Sequence, residues 1–432
     1  MKTLAEALES GDPSAAVTAL ADRGGTLAEA LREIAHATAP RLAIDDPPVP
    51  AHVHPYQALG AAAGLVSLMK RDALFPVAQA AWYLALSPRR GAHREHEARI
   101  VGEEIHLSKS LLAEIRAGNA AVATRLFNGL LGRRERVLLG DLFFQGAAED
   151  TVSSGHKLSV AVLGWVLARQ VGWSQAPALT LWPVVHYVAS PPKDAGAYTI
   201  ARRALGKAMV DLEAAGRNEG HVRGELAGLR DALRSGRPEA AAEAAVAALK
   251  SGAGGDAMLD EVSRHLAMAA MGKVGDAAWH ALAFTHAARF VLGYSRSGHR
   301  LLPAIEAAVL AAAIPAEDPR LPEAAPVEDR GAALNEIGLA VEMGDVQEAL
   351  GLLRGVLVGG DAADVVATLA RDASKEDAHA TGGHSLVFAH AALQEFRHST
   401  SPDRWLALAA LVSWLASLDH HREVVERLGA FA

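Results

Sequence analysis

The hydrophobic positions of this chain are filled mainly by Ala and Leu, in blocks separated by short polar turns, and β-branched runs are short. That pattern predicts helices instead of sheet, and an all-α fold. Residues 1 to 40 show the grammar: Leu4 to Leu8 predicts one helix, Ser10-Gly11-Asp12-Pro13 a turn, and Ser14 onward a second helix with Asp12 or Ser14 as its cap. The same kind of turn returns at Ala117-Gly118-Asn119, Ser235-Gly236-Arg237-Pro238 and Met343-Gly344-Asp345. Each precedes an Ala-rich segment, Ala120–Leu131, Glu239–Leu249 and Val346–Leu357. The turn glycines stand 107, 118 and 108 residues apart, which divides the chain into four similar quarters.

A histidine follows each turn glycine by roughly forty residues: His54, His156, His280 and His384. Each opens an apolar, Ala-rich segment, and each segment is followed by another apolar helix, at Phe75–Trp82, Ala178–Val188, Leu302–Val309 and Trp405–Leu415. Two of the segments share a pattern, His-x-Leu-x-Phe-x-His-Ala-Ala, at His280–Ala288 and His384–Ala392. First and third quarters agree best, as do second and fourth: His54 and His280 lie 226 apart, His156 and His384 lie 228 apart. His36 and His265, 229 apart, belong to the same relation, with Gln145 and Asp372 in the corresponding places of the even quarters. Two helical halves, 1–216 and 217–432, are therefore expected, duplicated and packed as one body, with a junction near Gly216–Gly220. The least regular stretches are Arg89–His106, Pro191–Gly220 and Pro315–Gly331.

Composition narrows the chemistry. A net charge of −8 leaves no basic field for a nucleic-acid backbone. The absence of cysteine removes disulfides, thiolate metal sites, cysteine-held iron–sulfur clusters and a cysteine nucleophile. No apolar run approaches the roughly 18 residues of a membrane span, and the start of the chain is acidic and amphipathic, so a soluble cytoplasmic protein is expected. There is no glycine-rich nucleotide loop after a strand, no Gly-x-Ser-x-Gly elbow, no His-Glu-x-x-His and no repeated set of Glu-x-x-His pairs. A flavin or NADPH domain has no visible home.

Four histidines in register can meet around a pseudo-symmetry axis and form a nitrogen-rich site for iron, copper, zinc or nickel, with iron and oxygen chemistry favoured where coordination positions stay open. A histidine at a helix start can equally be a cap or a packed core residue. His286 and His390 follow their partners by six residues, about 240° around a helix, so the two rings of each pair cannot share one face or act as a His-x-x-x-His zinc pair. One of each pair can be a ligand while the other supports it or contacts substrate, and a plain core role is equally open. His186, in an apolar helix, can reach the same interior or sit satisfied in the core. Of His52 and His54 only one is expected to face inward, and His54 fits the register. His93 and His96, among arginines and glutamates, predict a solvated helix surface, as do His420 and His421 at a helix end.

The run His384-Ser385-Leu386-Val387-Phe388-Ala389-His390-Ala391-Ala392-Leu393-Gln394-Glu395, followed by a helix from Arg404-Trp405-Leu406-Ala407, resembles the C-terminal histidine helix of the questin oxidase-like proteins. His54–Leu68 with Phe75–Leu84 is similar to their central histidine helix pair, and His280 to Pro303 to a third. The resemblance implies a helical mono- or dioxygenase acting on polycyclic aromatic, quinone-type small molecules, by ring cleavage or Baeyer–Villiger-like oxygen insertion. Some members resemble non-haem iron enzymes that use several histidines and a carboxylated lysine. Val387 and Ala283 stand where that lysine would be sought, and Lys157 lies beside its histidine; Asp372 or His390 would replace it, or the site is lost. The expectation is a non-haem metal oxygenase with iron favoured, metal ligands His54, His156, His280 and His384, and catalytic residues His286, His390 and His186. Its partners are a small aromatic substrate and O2, with neither nucleic acid nor membrane. From another class, a non-catalytic helical-repeat interaction scaffold also accounts for the turns and Ala-rich helices.

Overall fold

The computed structural model describes residues 2–44, 50–217, 226–272, 276–358 and 361–429. Every regular element among them is helical, and the only β pairing there is an isolated bridge between Leu42 and Arg89. The chain is all-α. Each of the four turn glycines ends a helix with positive φ: 69° at Gly11, 84° at Gly118, 69° at Gly236 and 70° at Gly344. That conformation lets the chain reverse directly into the next helix, and it favours glycine because a Cβ is crowded there. Those next helices are Pro13–Asp22, Ala120–Leu130, Pro238–Lys250 and Val346–Val358. Asp12, and not Ser14, caps the first of them, its side chain accepting the Ala15 N–H at 3.0 Å.

Two expectations need correction. Residues 1 to 40 hold three helices, Leu4–Ser10, Pro13–Asp22 and Leu27–Thr38, because Arg23-Gly24-Gly25 breaks the second and Thr26 with Glu29 forms a capping box that opens the third. The stretch Pro191–Gly220 contains the helices Gly196–Ala208 and Leu212–Arg217. Its charged residues hide the periodicity, since the first of these helices buries only Ala197, Ala201, Ala204 and Leu205. The part of the proposed junction at 218–220 lies outside the described residues.

Four helices form the centre: the His54 helix (Pro50–Val66), the His156 helix (Val152–Gln170), the His280 helix (Asp276–Tyr294) and the His384 helix (His384–His398). They pack in a closed cycle in chain order, each against the next and the last against the first. A second layer repeats around them: Leu74–Leu86 on the His54 helix, Pro177–Ala189 on the His156 helix, Leu302–Ala312 on the His280 helix and Trp405–Leu415 on the His384 helix. The four Ala-rich helices each cover one of these second-layer helices. Both halves thus contribute two helices to one central bundle, and small side chains let the layers approach closely: a Cβ on Gly60 would lie 2.6 Å from the Leu163 carbonyl oxygen.

Two second-layer helices carry a polar residue one turn after their proline, Gln79 and Glu306, 227 positions apart and both fully buried. The Gln79 amide reaches the Asp377 carboxylate at 3.4 Å and accepts the Ala378 N–H at 3.0 Å. Asp377 in turn caps the helix Glu423–Gly429. Glu306 faces Glu149 instead, and neither of its carboxyl oxygens meets a partner among the described residues. Burial, reinforced by the Glu149 charge, pushes its pKa well above the usual carboxylate range.

Candidate metal centre

The ring histidines occupy the starts of the four central helices, and their side chains meet. Ring centroids are 4.7 Å apart for His54 and His156, 5.5 Å for His156 and His280, 5.0 Å for His280 and His384, and 5.3 Å for His384 and His54. The diagonal from His54 to His280 is 6.5 Å, shorter than a square with those edges would require, so the four rings do not form a regular square. Imidazoles bound to one first-row ion through a nitrogen at about 2.1 Å place neighbouring centroids about 4.5 to 5 Å apart and opposite ones about 6.5 Å apart. The His54–His156 and His280–His384 edges and the diagonal fit that range, while the His156–His280 and His384–His54 edges are wider by a few tenths of an ångström.

Local backbone geometry delivers the histidines. Gly155 and Gly383, immediately before His156 and His384, have φ of 82° and 86°. A Cβ on Gly155 would come within 2.1 Å of the Phe284 ring. Ser153 and Ser154 are also left-handed, with φ of 50° and 58°, which stores on the order of 1 kcal/mol at each residue and gives His156 a one-turn reversal as its approach. Strain of this kind concentrates where a side chain must be aimed.

The electrostatics suit metal ligation. Burial is the main cause that lowers the pKa of each ring histidine: to about 3 for His54 and about 4 for His384, well below the ordinary value for His156, and downward for His280. Mutual repulsion between the imidazoles adds to this at His54, His156 and His384. Hence the imidazoles are neutral at pH 7, the state in which a ring nitrogen can donate to a metal. Nε2 of His54, His156 and His384 is buried without a hydrogen-bond partner among the described residues. The Gly382 backbone hydrogen-bonds the His54 ring, an orienting contact of the sort that fixes a ligand's tautomer. Among the described residues no three His, Asp or Glu side chains, as placed, form a group that could hold a metal ion.

Aromatic walls surround the ring. Phe388 stacks on His384 at 4.4 Å and meets His280 edge-on at 5.4 Å, while Trp279 stacks on Phe388. Tyr187 meets His156 edge-on at 6.0 Å. The signal for Phe388 was present in the sequence, since a residue four past a helical histidine shares its face. Tyr187 has no such signal; its placement depends on how two helices pack.

The other candidates lie elsewhere. His286 and His390 meet each other, centroids 5.0 Å apart, roughly 9 Å further along their helices. Both are buried, His286 held near a pKa of 3 and His390 well below its ordinary value, chiefly by desolvation. Beside them Arg289 makes a bidentate pair with Glu395, both contacts 3.0 Å, and bonds Asp260 at 3.0 Å and Asp256 at 3.2 Å. Glu395 approaches His286 only to 3.9 Å. His186 stacks against Trp182, on whose ring His93 also packs at 4.9 Å, so His93 is not a solvated surface residue. Asp372 pairs with Lys375 at 2.9 Å. Lys157 turns from the ring to Asp150 at 2.7 Å and to the Ser190 and Pro192 carbonyls. His265 is a satisfied core residue, its Nε2 2.9 Å from the Ile314 carbonyl.

Compared with family models, with curated proteins and with solved structures, the chain matches none.

Proposed function

We propose that this protein is a non-haem metal oxygenase, iron favoured, whose ion is held by His54, His156, His280 and His384. The observation that carries the proposal is the closed ring of four neutral imidazoles, three with a buried and unpartnered Nε2. The four imidazoles would hold the ion as neutral ligands and would leave its charge uncompensated. When bound, the ion supplies Lewis acidity and oxygen chemistry.

The chain's own residues shape the rest. Phe388, Trp279 and Tyr187 give the ring an aromatic surround suited to a flat polycyclic or quinone-type molecule. Trp279 and Phe388 exclude water from the His280–His384 edge. Tyr187, with a pKa raised by burial, keeps its hydroxyl proton at neutral pH and serves as a neutral hydrogen-bond donor. His286, His390 and His186 are assigned to supporting roles in the surrounding core, outside contact with the ring.

Elemental analysis of protein purified without chelator tests the proposal. About one transition-metal ion per chain is expected, together with metal-dependent O2 consumption on quinone-type substrates. No metal in the wild type, even after anaerobic incubation with Fe(II), Cu(II), Zn(II) and Ni(II), overturns it and leaves the helical scaffold as the account of the fold.

A further inference from the structure

On the outer side of the fold, two adjoining clefts of about 380 and 310 Å³ share Ala362, Phe396 and Arg404 in their walls. Three arginines face them, Arg354, Arg404 and Arg397, and no Asp or Glu lines either. In a chain of net charge −8, a surface cleft lined by three arginines and no carboxylate is locally positive. Among the described residues none of the three forms an ion pair. Their side-chain bonds run to neutral acceptors: Arg354 to the Pro322 carbonyl, Arg404 to the Ser399 carbonyl at 3.4 Å, and Arg397 to the Gln394 amide oxygen at 3.3 Å.

Two of these guanidinium groups are mounted on aromatic faces. Arg354 lies over the Trp405 ring, 5.4 Å from its centroid, and Arg404 over Phe396 at 4.9 Å. Stacking restrains the guanidinium plane while leaving N–H edges free to grip an oxyanion in a two-pronged way. Phe396, Trp405 and Leu357 supply an apolar bed next to the charges.

We propose that this cleft is a binding site for a small organic anion, a flat apolar body carrying one carboxylate, sulfonate or phosphate group. The oxyanion sits between Arg354 and Arg404, and the body lies along Phe396 and Trp405. The site is independent of the histidine ring, because its residues belong to the chain's outer layer and to helix ends remote from the ring histidines.

The test uses the full chain and titration calorimetry with 1-naphthyl phosphate, naphthalene-1-carboxylate, 1-naphthol and inorganic phosphate. The two naphthalene anions should bind saturably at one site, with Kd on the order of 10 to 100 μM and weakening as salt rises. Naphthol and inorganic phosphate alone should bind at least about tenfold more weakly. Arg404→Gln should weaken anion binding about tenfold or more while leaving the melting temperature within a few degrees. Arg354→Gln should do the same, and Arg404→Lys should recover part of the loss. A His280→Ala/His384→Ala protein should bind as well as wild type, which separates this site from the proposed metal centre. No saturable binding to the wild type at 1 mM overturns the proposal, as does binding that Arg404→Gln and Arg354→Gln leave unchanged.

Discussion

The His280 and His384 helices each carry a half-buried histidine and, six positions on, a fully buried one, and the two levels use them differently. At the upper level His280 and His384 join His54 and His156, and ring nitrogens remain without protein partners. At the lower level His286 and His390 meet each other, beside an arginine with three carboxylates. Desolvation lowers the pKa at both levels, so a perturbed histidine is not itself the mark of a site. What separates the levels is the number of elements that converge. Four helix starts aim at one point above. Below, the equivalent places on the other two helices are Gly60 and Val162, which offer packing and no donors.

Arg289→Met should give the largest effect. It strands Glu395, which is almost fully buried, and should cost about 3 to 5 kcal/mol in urea unfolding. If the levels are independent, the fraction still folded retains its metal. Next is the contrast of His384→Ala with His390→Ala: the first should lower metal affinity more than about 100-fold, the second should leave it within about tenfold and cost stability instead. Equal effects in a competition titration would erase the distinction.

Acid should act on both levels, and a variant at His286 isolates the lower one. The folded pKa of His286 is depressed, to about 3 against 6.5, so its contribution is intact above pH 6.5 and is lost as pH falls, because the unfolded chain takes up the proton first. On the order of 2 kcal/mol should disappear between pH 7 and pH 5, and His286→Gln should flatten that slope. The smallest effect is expected from Gly64→Ala. Its Cβ would come within 2.2 Å of His390 Nε2, an overpacking worth about 1 to 3 kcal/mol that should displace the lower pair without altering metal stoichiometry.

Much of the fold was legible because it is written in short-range terms. A positive-φ glycine, an aspartate cap and an Ala-rich block identify their own helix, which is why Gly11, Gly118, Gly236 and Gly344 could be read as turns. The four histidines could be brought to one place by register alone, since equal distances along equal hairpins end at equal heights. Position around the helix was harder. His186 and Tyr187 are adjacent; helical spacing of four sets His186 against Trp182, but only the packing of two helices decides that Tyr187 faces His156. The Arg289 network was illegible for the same reason: Glu395, Asp260 and Asp256 come from two other helices, and no local pattern links them. The helices within Pro191–Gly220 were hidden because a helix covering only a small apolar stripe resembles a polar loop.

Glu306 has a thermochemical consequence. An interior carboxyl with raised pKa holds its proton at neutral pH, whereas the unfolded chain gives that proton up. Folding at pH 7 therefore draws a hydrogen ion from the buffer, and melting returns it. The heat of unfolding should accordingly depend on the buffer's ionisation enthalpy, differing between phosphate and Tris by an amount that Glu306→Gln, copying the Gln79 arrangement, reduces by one proton's worth. Equal buffer dependence in the variant and the wild type would show that the interior carboxyl is ionised.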